Sequence, residues 1–262
     1  MTAVSIPESL VVPLERITDD ILGLRIVFVN VFALTHPDGS WTMIDAGLPL
    51  SATLIASWAE KHFSGPPRAI VLTHGHFDHV SAARELSDKW KIFIYAHPLE
   101  LPFLSGEREY PLPDFGAGGG LMALLSPLYP RGPIDLGERL RQLDCDIAAP
   151  NGPIPGWTSI HTPGHTPGHV SFFRPSDRAL IVGDAFCSTK PESFFDAAIS
   201  QRAELHGPPA YFTPDWSSAS KSIEKLADVN PTIVAPGHGK PLAGESVPQR
   251  LRQLAMQFNK VA

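Results

Sequence analysis

The stretch that decides the fold is residues 69–79, Ala-Ile-Val-Leu-Thr-His-Gly-His-Phe-Asp-His. Its apolar first half predicts a short buried strand that ends at Thr73. Four metal-ligand side chains follow at once: His74, His76, Asp78 and His79. Imidazole and carboxylate groups are typical ligands of zinc, iron and manganese. Because residues two apart in a turn can converge on one ion, while Asp78 and His79 begin the next element, the segment predicts donors for two adjacent ions.

Strand and helix patterns alternate on both sides of this segment. Residues rich in valine, isoleucine and phenylalanine predict strands, and apolar residues at helical spacing predict helices. Strands are predicted at 22–34 (one or two), 41–44, 69–73 and 91–95, and helices at 51–63 and 81–89. Such alternation indicates a layered α/β domain.

The second half of the chain has the same kind of pattern, with a histidine or aspartate after several strands. Strands are predicted at 157–161, 170–173, 179–182 and 232–235, and helices at 217–227 and 248–259. Tight turns present His165 in Thr-Pro-Gly-His-Thr-Pro-Gly-His, Asp184 in Gly-Asp-Ala-Phe and His238 in Pro-Gly-His-Gly. We expect His161 and His169 to support this site through hydrogen bonds instead of binding metal.

Composition and charge bound the class of protein. The chain has 262 residues, 43% hydrophobic and 18% charged, which excludes a disordered chain. A net charge of −6 favours neither nucleic acid nor an anionic membrane as a partner. Two cysteines, Cys145 and Cys187, are typical of a reducing compartment. Since residues 1–20 lack the basic region of a secretory signal, we expect a cytoplasmic, single-domain protein that spans 1–262 and acts on a small molecule.

Residues 100–135 interrupt the alternation with many prolines, a Gly118-Gly119-Gly120 run and many apolar side chains. Long irregular insertions in a compact domain are usually functional. We interpret this insertion as a lid over a pocket for an apolar substrate, as a loop with a short helix packed on the surface, or as a contact in a homodimer.

The motifs together resemble the metallo-β-lactamase superfamily. The resemblance rests on His74-x-His76-x-Asp78-His79 and on the motifs of His165, Asp184 and His238, in that order. Asp45-Ala-Gly resembles the early Asp-x-Gly motif of that family. The resemblance implies an α/β fold, a four-layer αββα sandwich of two mixed β-sheets flanked by helices, with the metal ions at one edge of the sheets.

The resemblance also implies a ligand set for two divalent ions, zinc first, with manganese and iron as alternatives. His74, His76 and His165 would bind the first ion. Asp78, His79 and His238 would bind the second ion, and Asp184 would bridge the two. Asp45 would orient the histidine-rich loop without binding metal.

The activity implied is that of a hydrolase in which a hydroxide shared by the two ions attacks the substrate. Asp78 or Asp184 would relay the proton. The motifs are similar to those of glyoxalase II and the acyl-homoserine lactonases, which favours a small ester, lactone or thioester with an apolar part. Cys187 stands where the lactonases tend to have a tyrosine. The alternatives are a mononuclear iron enzyme like the persulfide dioxygenases and a phosphodiesterase on the same scaffold.

Three residues outside the metal motifs are candidates for the substrate pocket: His97, Phe186 and Tyr211. Tyr211 is a candidate for the phenol that would replace the missing tyrosine. His97 has an alternative interpretation as a capping or core histidine.

Overall fold

The computed structural model describes residues 6–7, 10–14, 16–143, 149, 152–200 and 202–258. The chain forms two compact units. Unit 1 takes its residues from Met1–Glu109 and Arg131–Pro155, and unit 2 from Tyr110–Pro130 and Gly156–Ala262. Cys145 lies outside the described residues.

Unit 1 contains a mixed seven-stranded sheet whose strands are ordered as in the sequence. The first four strands pair antiparallel and the last three join them in parallel. The strands are β1 (Val11–Pro13), β2 (Ile21–Ile26), β3 (Val29–Thr35), β4 (Trp41–Ile44), β5 (Ala69–Val71), β6 (Phe93–Ala96) and β7 (Leu140–Gln142). The helices are α1 (Ala52–His62), α2 (Phe77–Val80), α3 (Ala83–Trp90) and α4 (Leu101–Leu104).

The core of unit 1 explains why these elements form. Ile55 of α1 and Leu86 of α3 are fully buried in one apolar cluster with Ile70 of β5, so each helix covers the sheet with its apolar face. The segment 22–34 forms two strands because the chain turns at Val27, whose φ of 60° is left-handed. That conformation is rare for a β-branched residue and ends strand β2.

Unit 2 contains a mixed five-stranded sheet in the order β12-β11-β10-β9-β8. Among its described strands, β10 and β11 pair in parallel and the other neighbours pair antiparallel. The strands are β8 (Thr158–His161), β9 (Val170–Arg174), β10 (Ala179–Gly183), β11 (Ile233–Pro236) and β12 (Leu242–Ala243). The helices are α5 (Leu121–Leu125), α6 (Trp216–Asp228) and α7 (Val247–Phe258). Apolar side chains of α6 and α7 form one core with β10 and β11.

The parallel pair β10–β11 brings two of the predicted donors together. Its register advances by two residues on β10, from Ile181 to Gly183, while β11 advances by one. Val182 is therefore the extra residue of a β-bulge, a feature that redirects the side chains after it. Asp184 and His238 follow the carboxyl ends of these neighbouring strands.

The insertion contains short helices, as one of its interpretations predicts. Besides α4 and α5, a 3-10 helix covers Ser126–Leu128. Residues 110–130 belong to unit 2 and expose large apolar side chains, among them Leu112 (77% exposed) and Leu128 (80%). Nowhere in the described chain is there a helix long and apolar enough to cross a membrane.

Candidate metal centre

The four candidate donors of unit 1 lie in a buried segment that runs from the end of β5 into α2. Nitrogen atoms of His74 and His76 lie within 4.8 Å of each other, as do those of His74 and His79. Asp78 and His79 occupy the first turn of α2, as the sequence predicts. All four residues are buried, with at most 7% exposure. The turn thus gathers three imidazoles and a carboxylate away from solvent.

Asp45 is the centre of the hydrogen bonds that hold this turn. Its carboxylate accepts the Thr73 backbone N–H at 2.8 Å and the Thr73 hydroxyl at 2.9 Å. Oδ2 of Asp45 also lies 2.8 Å from Nδ1 of His79. A carboxylate on Nδ1 of a histidine places the proton there and the lone pair on Nε2, which is the arrangement usual for metal-binding histidines.

The same bonds fix the tautomer of His74. A threonine hydroxyl has one proton, and Thr73 donates its proton to Asp45. Nδ1 of His74, 3.0 Å from the Thr73 oxygen, must therefore donate to it, which places the lone pair of His74 on Nε2. Asp45 thus contacts His79 directly and His74 through Thr73, and its role in orienting metal ligands stays a prediction.

Glu100 supports the turn as well, and sequence reasoning did not single it out. Its side chain is fully buried, and Oε2 accepts the backbone N–H of Gly75 at 2.9 Å. Gly75 lies between His74 and His76, so this bond fixes the backbone that spaces the two donors. Glu100 stands in the first residues of the insertion, where no local pattern marks it.

Unit 2 presents its donors from separate loops. Oδ2 of Asp184 lies 3.0 Å from Nε2 of His238 and 3.5 Å from Nε2 of His165. Two ligands of one tetrahedral zinc ion, with bonds of about 2.1 Å, are separated by about 3.4 Å. All three side chains are buried. The donor types and spacings therefore fit a divalent metal, with Asp184 placed beside both histidines.

A threonine also orients His165. The Thr213 hydroxyl donates to the carbonyl oxygen of Pro209 at 2.7 Å, so it can only accept from Nδ1 of His165, 3.1 Å away. The lone pair of His165 is again on Nε2. Hydroxyl and carboxylate partners on Nδ1 thus recur at three donor histidines.

His169 differs from the donors in its hydrogen bonds. Its Nε2 accepts the backbone N–H of Asp184 at 2.8 Å, and its Nδ1 lies 2.8 Å from the Thr162 hydroxyl. Both ring nitrogens thus bind protein atoms, and the ring positions the backbone of Asp184. His161 lies with Nε2 2.9 Å from the Pro167 carbonyl oxygen. That either residue supports a metal site stays a prediction.

The three pocket candidates occupy different settings. His97 precedes a 3-10 helix, Pro98–Glu100, and its side chain accepts the backbone N–H of Leu99. This is the hydrogen bond that the interpretation of His97 as a capping residue describes. Phe186 is fully buried in the core of unit 2. Tyr211 is 7% exposed, and its ring lies 4.9 Å from that of Phe212. Contact of any of them with a substrate stays a prediction.

A polar cavity of about 130 Å³ lies elsewhere in unit 2. Burial lowers the pKa of His206 in its wall from the ordinary 6.5, although nearby carboxylates of Glu192 and Glu204 oppose the shift. Backbone bonds join His206 to Cys187 in both directions. The other lining residues are Thr189, Lys190, Asp196, Arg202 and Glu204.

Comparisons with known proteins agree with the fold and the donor chemistry. The model of the metallo-beta-lactamase superfamily matches residues 24–238. The chain is 41% identical over 243 residues to the probable metallo-hydrolase YflN of Bacillus subtilis (strain 168), with 91% of each protein covered.

Solved structures of similar fold include the B3 metallo-beta-lactamase BLEG-1, with a TM-score of 0.57 and 24% identity over 92% of this chain and 97% of that one. TTHA1623 in a di-iron-bound form gives a TM-score of 0.54 and 24% identity over 86% and 96%. The predicted fold class, two mixed sheets flanked by helices, is confirmed. The chain belongs to the metallo-β-lactamase superfamily.

Proposed function

We propose that the protein is a metal-dependent hydrolase of a small ester, lactone or thioester with an apolar part. The position of Asp184 carries this proposal, because its Oδ2 lies beside Nε2 of both His165 and His238. A carboxylate suits a place between two cations better than an imidazole, since it has two oxygens that accept metal. YflN, the relative that is 41% identical to this chain, is described as a probable metallo-hydrolase.

We propose that these residues hold two divalent ions. The assignment is the one that the family resemblance implies: His74, His76 and His165 for one ion, Asp78, His79 and His238 for the other, and Asp184 between them. Zinc is the first candidate, and iron the next, since TTHA1623 has a di-iron-bound form. When bound, such ions lower the pKa of coordinated water and polarise a carbonyl group.

The residues of the chain would handle the protons of this reaction. Asp78 and Asp184 are buried carboxylates beside the donor histidines, so one of their oxygens would accept the proton of the attacking water. The same oxygen would return it to the leaving alkoxide or thiolate. Asp45 would keep His79 and His74 in the tautomers that bind metal.

The apolar part of the substrate would contact the 100–135 insertion. Its exposed leucines, such as Leu112, Leu124 and Leu128, offer a surface that suits an acyl chain, and the lid interpretation is the one we propose. A homodimer contact is the alternative use of this surface. We place the activity in the cytoplasm.

The test is proton release in a pH-stat with acyl-homoserine lactones of short and long acyl chains, and with matched thioesters. The metal content of the same sample is measured by mass spectrometry. Metal-dependent release that is faster with the long chain would support the proposal. A protein with two ions that cleaves only phosphodiesters, or with one iron that oxidises persulfide, would contradict it.

His62→Ala is the control for variants of the donor histidines. It removes a histidine of α1, outside the donor motifs, whose Nδ1 lies 2.7 Å from the carbonyl oxygen of Trp58. We expect it to keep both metals, whereas His165→Ala loses metal and activity together.

A further inference from the structure

We infer that Glu192 is a positioning residue that couples the apolar insertion to the orientation of His165. Glu192 contacts neither metal donors nor reacting atoms in this proposal, and it acts through the turn at 209–213. The inference rests on the proposed function only in treating His165 as a metal ligand.

Glu192 holds two segments of unit 2 at once. Its side chain is buried, with 7% exposure, and Oε1 accepts the backbone N–H of Ala210 at 3.0 Å. Its own carbonyl oxygen accepts the backbone N–H of Met122, at 3.1 Å. One residue therefore ties the helix of the insertion, α5, to the turn that contains Ala210.

The glycine run of the insertion is shaped to fit Glu192. A Cβ atom on Gly118 would lie 2.5 Å from Cγ of Glu192, and one on Gly120 would lie 2.4 Å from its carbonyl oxygen. Gly119 between them has nothing within 4 Å of its Cβ position. The close approach of the insertion to Glu192 therefore explains two of the three glycines in a run that the proposed function leaves unexplained.

The turn that Glu192 holds is the one that orients His165. Ala210 begins a 3-10 helix, Ala210–Phe212, that follows Pro209 and precedes Thr213. The Thr213 hydroxyl bonds the Pro209 carbonyl and meets Nδ1 of His165. The insertion also donates to this turn, through the backbone N–H of Asp114 to the Tyr211 carbonyl at 2.9 Å.

Burial of a carboxylate is unfavourable unless the group is hydrogen-bonded. The bond to Ala210 compensates part of that cost, and its geometric effect is to fix where Pro209 and Thr213 stand. Loss of this bond would let the turn shift and weaken the hold of Thr213 on His165. Removal of the hydrogen-bond partner of a metal-binding histidine typically lowers metal affinity 10–100-fold.

The test compares Glu192→Ala with Glu192→Gln in the full-length, metal-loaded protein. We expect Glu192→Ala to weaken Co²⁺ or Zn²⁺ affinity about tenfold by chelator competition and to alter the visible spectrum of the Co²⁺-loaded protein. Chymotrypsin should also cleave residues 110–129 faster in this variant. Glu192→Gln should restore all three readouts, because its amide oxygen still accepts from Ala210.

Wild-type metal affinity and an unchanged Co²⁺ spectrum in Glu192→Ala would overturn the inference, even if cleavage by chymotrypsin increased. These readouts need no substrate. If the variant weakens metal binding but the protein hydrolyses none of the tested compounds, the positioning role stands and the proposed substrate class fails.

Gly120→Ala and Gly119→Ala supply a matched pair. Both glycines have left-handed φ angles, 96° and 66°, so alanine is strained at either position, but only Gly120→Ala would press on Glu192. We expect Gly120→Ala to reproduce the metal affinity of Glu192→Ala and Gly119→Ala to stay within about twofold of the wild type. Equal effects of the two variants on metal affinity would contradict the coupling.

Discussion

The two candidate donor sets of this protein are built in opposite ways. Unit 1 supplies four candidate donors from one continuous segment that runs from the end of β5 into α2. Unit 2 supplies three donors from three loops, and two of them meet because β10 and β11 are parallel neighbours. The first set depends on local sequence, and the second depends on the pairing of distant strands.

The supports of the two sets differ as well. In unit 1, the buried carboxylates of Asp45 and Glu100 hold the turn. In unit 2, a hydroxyl, from Thr213, orients His165. Hydrogen bonds to a charged group are roughly twice as strong as neutral ones. We therefore expect the supports of unit 1 to matter more than those of unit 2, while unit 2 depends most on Asp184.

The largest effect should come from Asp184→Asn. The substitution keeps the size of the side chain but removes the charge that lies beside His165 and His238. We expect kcat/KM to fall by more than about 100-fold, the upper end for groups that only support metal ligands, with little change in the thermal midpoint of the metal-free protein. Unchanged hydrolysis in this variant would remove Asp184 from the metal-bridging role.

Asp45→Asn should have the next largest effect. An asparagine cannot accept from Thr73 and His79 in the way that a carboxylate does, so the tautomers of His79 and His74 are no longer fixed. We expect metal affinity to fall about 10–100-fold in chelator competition. Asp38→Asn, at an exposed carboxylate of the same unit, is the control, and equal losses in both variants would refute the role of Asp45.

Thr213→Val should have a smaller effect than Asp45→Asn, because the lost partner is neutral. We expect a loss of metal affinity of about tenfold, recovered in Thr213→Ser, which keeps the hydroxyl that bonds Pro209. A loss greater than that of Asp45→Asn would reverse the ranking of the two units.

The smallest effect concerns acid stability and belongs to unit 2. Burial lowers the pKa of His206, so the unfolded chain binds the proton more readily than the folded one. The free energy of unfolding should fall as the pH drops through the unfolded value of about 6.5, and the loss should level off below the folded pKa. Urea unfolding of the metal-free wild type and of His206→Gln at pH 8 and pH 5 measures this loss of unfolding free energy. The variant should lose less stability than the wild type on acidification. An identical pH dependence of the two proteins would contradict the role of His206.

The elements could be predicted from the sequence because strands, helices and the turns between them leave local patterns, and the candidate donors follow directly from those patterns. The strand before His74, the start of the next helix at Asp78 and the helices near 51–63 and 217–227 lie within a few residues of their predicted positions. The contact between Asp45 and His79 joins residues 34 positions apart, and the role that the resemblance implies for Asp45 stays a prediction.

The remaining contacts join residues far apart in the sequence. Glu100 meets Gly75, and Glu192 meets Ala210 and the glycine run. Buried glutamates of this kind carry no periodicity or spacing that separates them from surface glutamates. The order of the strands in unit 2 is also a result of tertiary pairing, which local propensity does not specify.

The bulge at Val182 gives β10 one residue more than its pairing with β11 requires. Ile181 lies opposite Ala235 and Gly183 opposite Pro236. If Val182 were removed, Ile181 and Gly183 would be consecutive and still face these partners, so Asp184 would keep its face of the sheet. The deletion would instead remove the local bend and added twist that a bulge gives to a strand, and with them the direction in which the Asp184 carboxylate points. A variant that lacks Val182 would therefore separate the contribution of the bend from that of the strand register.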